Sequence, residues 1–308
     1  MTDSIVDTLA SEDVLHRFLL EKAGVRGVLV RLGASWQDIA SRVDYSAELR
    51  DTLGQAVAAS ALLTGNVKFE GSLSLEFKSQ GALRLLFAEC TDKGRLRGLA
   101  RFDDGDMPVT DGKLDLSELP DAALAITIGQ IDRGRYQGLV DLDTSSLAEA
   151  LENYFLRSEQ LPARILLAAD GVHAVGLILQ PVAGEGGHSA AEQDDDAWER
   201  VGHLTATLSA SEMLSTRPEE LLFRLYHEET VRLYEPKPLA FGCTCSQERV
   251  EGMLRALGRD EVEATLEDRD GEIEVICEFC ATRYVFDRVD AERLLTQAET
   301  PPAPSKLQ

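Results

Sequence analysis

Four of the five cysteines in this chain fall in two close pairs, Cys243-Thr-Cys245 and Cys277-Glu-Phe-Cys280, separated by residues 246–276. No other feature constrains the fold as strongly, because four sulfurs are to be gathered in one place. Disulfide frameworks belong mainly to small exported domains, and the first residues, MTDSIVDTLASED, show neither a basic nor an apolar leader. Thiolates on a metal are therefore the expected state, with zinc as the ion. Four soft thiolates at about 2.3 Å close a tetrahedral shell and leave no position open for water or substrate. Such a site does no Lewis-acid chemistry.

The same spacing allows a switch. Each close pair could form a local disulfide if oxidant arrives, and its sulfurs could then no longer serve as thiolate ligands. The segment from Leu239 to Leu295 reads as poor in large apolar groups and rich in charge, including Glu261, Glu263, Glu267, Asp268, Asp270 and Glu272. On this reading it does not fold on its core alone. A four-thiolate zinc site contributes on the order of 10 to 16 kcal/mol, whereas a whole domain is stable by about 5 to 15. Oxidation is thus expected to release zinc and unfold the segment.

Charge excludes one large class of partner. The chain carries 31 Lys+Arg against 54 Asp+Glu, a formal net charge of −23, which opposes attraction to phosphates; nucleic acid is not an expected partner. No apolar run approaches the ~18 residues of a membrane span, so a membrane is not expected either, and the chain reads as soluble and cytoplasmic. Its 308 residues suit about two domains with a smaller module attached.

Along the chain, strand character recurs at Gly27 to Leu32, Ser72 to Lys78, Ala82 to Ala88, Leu96 to Phe102, Ala123 to Gly129, Tyr136 to Asp141, Ala163 to Ala169 and Ala174 to Gln180. Hairpin signals at Lys93-Gly94, Arg133-Gly134 and Asp170-Gly171 imply antiparallel pairing. Helical spacing appears at Ser46 to Leu63, with Leu49, Leu53, Val57 and Ala61, and at Ser146 to Ser158. After Pro181 the run GEGGHSAAEQDDD marks a boundary. Two amphipathic helices are predicted beyond it, Ala197 to Leu208 and Pro218 to Glu229, the second opening on the capping-box pattern Thr216-Arg217-Pro218-Glu219. Its stripe, Leu221, Leu222, Leu225 and Tyr226, suits packing on the neighbouring domain or direct binding of a partner. Ser246 is the expected N-cap of a helix ending near Leu257, with Gly258 as its C′ residue, and EIEVI and TRYVFD are expected to pair around the CEFC knuckle.

The reading is therefore an α+β fold: an antiparallel-sheet core domain with helices (1–182), a helical linker (183–238), a small four-cysteine zinc module (239–295) and a disordered tail (296–308). No enzyme site emerges, and no catalytic residue is assigned. His227-Glu228-Glu229-Thr230-Val231 lacks the second histidine of a zinc-protease motif. His16, His173, His188 and His203 lie in no catalytic pattern, and there is no GxSxG elbow. Cys90 ends an apolar strand and suits a small buried hydrophobe. The acidic run Asp194 to Asp196 lacks the spaced oxygens of a calcium loop.

The run EELLFRLYHEETVRLYEPKPLAFGCTCSQERVEGMLRALG, followed by GEIEVICEFCATRYVFD, closely resembles the C-terminal part of the heat shock protein 33 family of redox-regulated holdase chaperones. YFLRSEQLPARILLA, VGLILQP, RYQGLVDL and the helix end from Ala56 to Gly65 extend the likeness over nearly the whole chain. One departure is Ala163, where threonine is expected. The resemblance implies an ATP-independent cytoplasmic chaperone, silent while Cys243, Cys245, Cys277 and Cys280 hold one zinc ion. Oxidation is then expected to join Cys243 to Cys245 and Cys277 to Cys280, eject the metal and unfold the linker. The resemblance further implies that the protein then dimerises and that its exposed surface captures unfolding client proteins. Two other readings remain open: a thiol-disulfide oxidoreductase, and a binding protein whose zinc is purely structural.

Overall fold

The computed structural model describes residues 13–130, 134–182 and 196–299. The glycine-acid segment after Pro181, His188, Asp194, Arg133 and the tail from Thr300 lie outside the described residues. The chain forms two compact units that divide between Gly242 and Cys243. Among the described residues no helix is long and apolar enough to cross a membrane.

The first unit opens with β1 (Val14–Leu20) and β2 (Val25–Leu32), then α1 (Ala34–Ala40) and α2 (Ala47–Asn66). Ser46 caps α2 by accepting the Leu49 N–H at 3.3 Å. Beyond its first turns this helix is small and apolar nearly all round, and residues 56–65 are buried throughout. It touches β2, β10 and β11 of one sheet and β3, β4 and β5 of another, where β3 is Gly71–Lys78, β4 Leu83–Thr91, β5 Arg95–Phe102, β10 Arg164–Ala169 and β11 Ala174–Pro181. Glycine permits the close approach on both sides. A Cβ on Gly98 would come within 2.8 Å of Val57, and one on Gly176 within 2.6 Å of Leu62.

The remaining elements of this unit are the small hairpin β6 (Val109–Thr110) and β7 (Lys113–Leu114), β8 (Ala123–Gln130), β9 (Gly134–Val140) and α3 (Leu147–Arg157). Beyond β11 come α4 (Ala197–Ala206), α5 (Ala210–Ser215), α6 (Pro218–Tyr226), β12 (Val231–Leu233), β13 (Lys237–Pro238) and β14 (Ala240–Phe241). The first sheet runs β10-β11-β2-β1-β12, with β13 also on β1; the second runs β14-β5-β4-β3-β8-β9. Pairing is antiparallel throughout, apart from β14 on β5.

The mixed α+β class and all eight predicted strands are present. Asp170-Gly171 makes its hairpin by a different device from a glycine at positive φ: the Asp170 carboxylate accepts the N–H groups of Val172 and His173, both at 2.7 Å. β1 escaped prediction because His16 and Arg17 interrupt its apolar pattern.

Both faces of the first sheet are apolar. Leu15, Val28, Val30, Leu32 and Ile178 face the core that holds α2. On the other face Phe18, Leu20, Val25, Leu29, Val175, Leu177 and Leu179 are covered by Val201, Met213, Leu221, Leu222 and Tyr226 from α4, α5 and α6. The helices predicted as a linker thus pack on the core sheet. Polar contacts hold them in register: Thr205 Oγ1 and the Tyr226 hydroxyl are 2.7 Å apart, and Arg200 donates to both carboxylate oxygens of buried Glu229, at 2.7 and 3.2 Å. Buried Arg31 donates to the Met213 carbonyl at 3.2 Å.

The Thr216–Glu219 capping box does not form. Arg217 occupies the N-cap of α6 without a side-chain bond, since Thr216 already ends α5. The capping box belongs instead to Ser209 and Glu212 at the start of α5. The second predicted helix also stops early, at Tyr226, with a 3-10 turn over His227–Glu229. Leu239, assigned to the zinc module from sequence, packs in the core of the first unit.

Leu53→Ala should destabilise the first unit by about 2 to 5 kcal/mol in urea titration, because Leu53 is fully buried between the sheets and its removal leaves a cavity. Tyr226→Phe should cost about 1 kcal/mol of helix docking, measured as faster amide exchange in α4 and α6, with the unfolding of α2 unchanged.

Candidate metal centre

The second unit begins at the first cysteine pair. Ser246 accepts the Arg249 N–H at 3.3 Å and so starts α7 (Gln247–Leu257) directly after Cys245. Gly258, at φ +90° and ψ 167°, joins α7 to α8 (Arg259–Asp268), a backbone shape that glycine alone adopts readily. Asp270 and Gly271, both at positive φ, turn the chain into β15 (Glu272–Ile276), which pairs with β16 (Arg283–Asp287) before α9 (Arg288–Glu299).

This unit has more core than its charge suggests. Val250, Leu254, Val262, Leu266, Ile273, Phe286, Ala291, Leu294 and Leu295 form one buried cluster. The sequence reading missed α8 and α9, whose single apolar stripes are diluted by Asp, Glu and Arg. Residues 296–299, expected in a disordered tail, are the last turn of α9.

Between β15 and β16 the chain makes a tight knuckle. The Ala281 N–H donates to the Cys277 carbonyl at 2.7 Å, the Cys277 N–H to the Thr282 carbonyl at 2.9 Å, and Ala281 takes φ +56°. This turns Cys277 and Cys280 toward the first pair. Cys243 and Cys277 sulfurs lie 3.6 Å apart, Cys245 and Cys280 sulfurs 3.3 Å apart, and all four fall within 4.8 Å of one another. Four ligands at about 2.3 Å from a common centre stand about 3.8 Å apart at the corners of a tetrahedron. The four sulfurs fit that size and could hold a metal ion; all are free thiols.

Neighbouring groups orient the sulfurs. The Tyr284 hydroxyl donates to Cys245 Sγ at 3.1 Å, the Cys245 N–H donates to Cys243 Sγ at 3.4 Å, and the Thr282 hydroxyl stands 3.1 Å from Cys280 Sγ. Burial pushes the Cys243 thiol up to about 12 and raises Cys277 as well. Burial also works against ionisation at Cys280, but hydrogen bonds from Thr282 and from the Cys245 and Cys277 thiols bring it down to about 6. A divalent cation at the centre would offset the cost of burying thiolate charge at Cys243 and Cys277.

Of the other predicted residues, Leu221, Leu222 and Tyr226 are buried in α6 and Leu225 is half-buried, all in the first unit. Cys90 is fully buried in β4, its thiol pushed up to about 12 by burial. Tyr284 and Thr282 went unnoticed in the sequence, although Tyr284 is in β16 and Thr282 directly precedes it, two residues away.

A family model described as Hsp33 protein matches residues 13–287. The chain belongs to the Hsp33 family. It is 47% identical over 295 residues to the 33 kDa chaperonin of Nitrosococcus oceani, covering 96% of this chain and 98% of that one. With the 33 kDa chaperonin of Shewanella woodyi it shares 40% identity over 296 residues, covering 94% and 98%. The crystal structure of the Hsp33 homologue from Thermotoga maritima superposes with a TM-score of 0.78 at 23% identity, over 93% of this chain and 98% of that one, a likeness of fold. The matched Hsp33 region includes all four clustered cysteines and ends with β16.

Tyr284→Phe should weaken zinc binding by about tenfold or more in competition with a chromophoric chelator, since it removes a hydrogen bond that orients Cys245.

Proposed function

We propose that this protein is a redox-regulated holdase chaperone of the cytoplasm, needing no ATP, which is silent in its reduced, zinc-bound state. The observation that carries the reading is the apolar outer face of the first sheet, covered by three short helices rather than by a second sheet or a long helix. A surface of that kind can be uncovered without dismantling the core around α2. Membership of the Hsp33 family, whose curated relatives are called chaperonins, supports it.

In the resting state Cys243, Cys245, Cys277 and Cys280 would hold one Zn2+. Held in this way, the two cysteine pairs would be closed onto each other and their thiolate charge compensated. Two equivalents of a two-electron oxidant such as peroxide, with four protons from solvent, would remove four electrons from the four thiolates. One S–S bond forms between Cys243 and Cys245 and one between Cys277 and Cys280, while the peroxide O–O bonds break and their oxygens leave as water. Disulfide sulfurs no longer serve as thiolate ligands, so zinc is released and the second unit loses its tie.

The helices over residues 197–226 then leave the sheet. Their apolar residues, Leu221, Leu222, Leu225 and Tyr226, and the uncovered strands would bind unfolding client proteins, and the oxidised chains would associate as homodimers. The charge of −23 would keep such complexes soluble through mutual repulsion.

Cys280, held near 6, favours a second reading as a thiol-disulfide oxidoreductase, since such enzymes attack through one low-pKa cysteine. That enzyme would turn over a small disulfide many times. The switch oxidises once per chain.

Light scattering of a heat-unfolding client without ATP separates these readings. The oxidised protein should suppress aggregation at about one chain per client, and the reduced zinc-loaded protein should not. Equal behaviour of the two forms would remove the switch, and rapid turnover of a small disulfide would favour the enzyme.

A further inference from the structure

His16 lies on the outer face of the first sheet, on β1, where α6 crosses it. The residue is 2% exposed, its Nε2 stands 3.5 Å from a Glu219 carboxylate oxygen, and its Nδ1 is buried without a hydrogen-bond partner among the described residues. Glu219 itself is half-exposed. The strand pairing puts Arg31 one rung away on β2, opposite Val14, while His16 faces Leu29. Arg31 is buried, and its Nη1 donates to the Met213 and Thr216 carbonyls at the end of α5.

The other charges around the site are few. Arg217 precedes α6 and is exposed. Beside β1 on its other edge, Glu235 is exposed and Lys237 donates to the Asp92 carbonyl. Arg17, next in sequence, donates instead to the Gly65 carbonyl at 2.8 Å.

A protonated imidazole carries two N–H donors. Here Glu219 could take one and no acceptor waits for the other. The positive end of the α6 dipole and the burial of the ring both disfavour a cation. We propose that His16 makes the docking of α5 and α6 on the first sheet acid-labile, so that mild acidification uncovers the sheet face without thiol oxidation.

The sign follows from linkage. Burial lowers the pKa of the docked His16 below its ordinary 6.5, and Glu219 offsets only part of this. Once the helices leave, the ring regains its ordinary affinity for protons. Docking is therefore fully stable above about pH 6.5 and weakens as pH falls below it, by up to about tenfold in the docking equilibrium per pH unit. The inference rests on the reading of the helices as a removable cover and adds a second, non-oxidative trigger.

The test uses the full chain, reduced and zinc-loaded, between about pH 7.5 and about pH 5.5. Amide exchange over Pro218–Tyr226, corrected for intrinsic rates, and bis-ANS fluorescence should both rise as pH falls, with a chelator dye reporting zinc still bound. His16→Gln should flatten both responses, and Glu219→Gln, which removes the favourable carboxylate, should move undocking to higher pH. An unchanged response in His16→Gln, or no response in the wild type, overturns the proposal. If that variant does not fold, the His16 imidazole resonance decides: a midpoint below 6.5 supports the proposal and one at or above 6.5 overturns it. Because no client is present, failure here leaves the holdase reading to its own assay.

Discussion

The first sheet is apolar on both faces, and the rest of the structure follows from the need to cover both. One long helix serves one face and a second sheet at once: α2 buries 14 of its 20 residues. The opposite face has no such partner and is served by α4, α5 and α6, of which α6 buries four of nine residues. Burial of a large side chain is worth about 1.5 to 3 kcal/mol, so the two seams differ greatly in strength. A cover of short helices held by a handful of side chains and polar contacts is the part of this unit expected to open first.

On the proposed reading the four thiols would give that imbalance a control. Their unit has its own apolar cluster but fewer than 70 residues, a size at which a core alone is marginal and a metal tie matters. The sulfur contacts at 3.3 and 3.6 Å cross between the pairs, so a shared ion would fasten the start of α7 to the β15–β16 knuckle. Local disulfides would join neighbours within each pair and lose that cross-link. On the proposed reading the same atoms would serve either as a tie between two segments or as two separate loops, according to oxidation state.

Much of this was legible in the sequence. Alternation marked eight strands of the two sheets to within a few residues, and the alanine-rich periodicity of α2 announced a helix; β1, β12, β13 and β14 were not read from the sequence. The cysteine spacing located the candidate metal centre before any geometry was known. What escaped was set by tertiary context. β1 carries His16 and Arg17 where a strand pattern wants apolar groups, and only the helices above it explain why a histidine is tolerated there. α8 and α9 hide single apolar stripes among charges. Thr216 and Glu219 matched a capping box that the preceding helix pre-empts. Tyr284 could be seen as a strand residue, but its reach to Cys245 depends on the turn between the two strands.

The central claim is that thiol chemistry in the second unit governs the helical cover of the first. Amide exchange of the full chain at fixed neutral pH, compared between the reduced zinc-loaded and the fully oxidised protein, tests it most directly. The account predicts lost protection across Ala197–Tyr226 and the second unit, while α2 and the strands of the second sheet keep theirs. Unchanged protection of α4, α5 and α6 after complete oxidation and zinc release would contradict it.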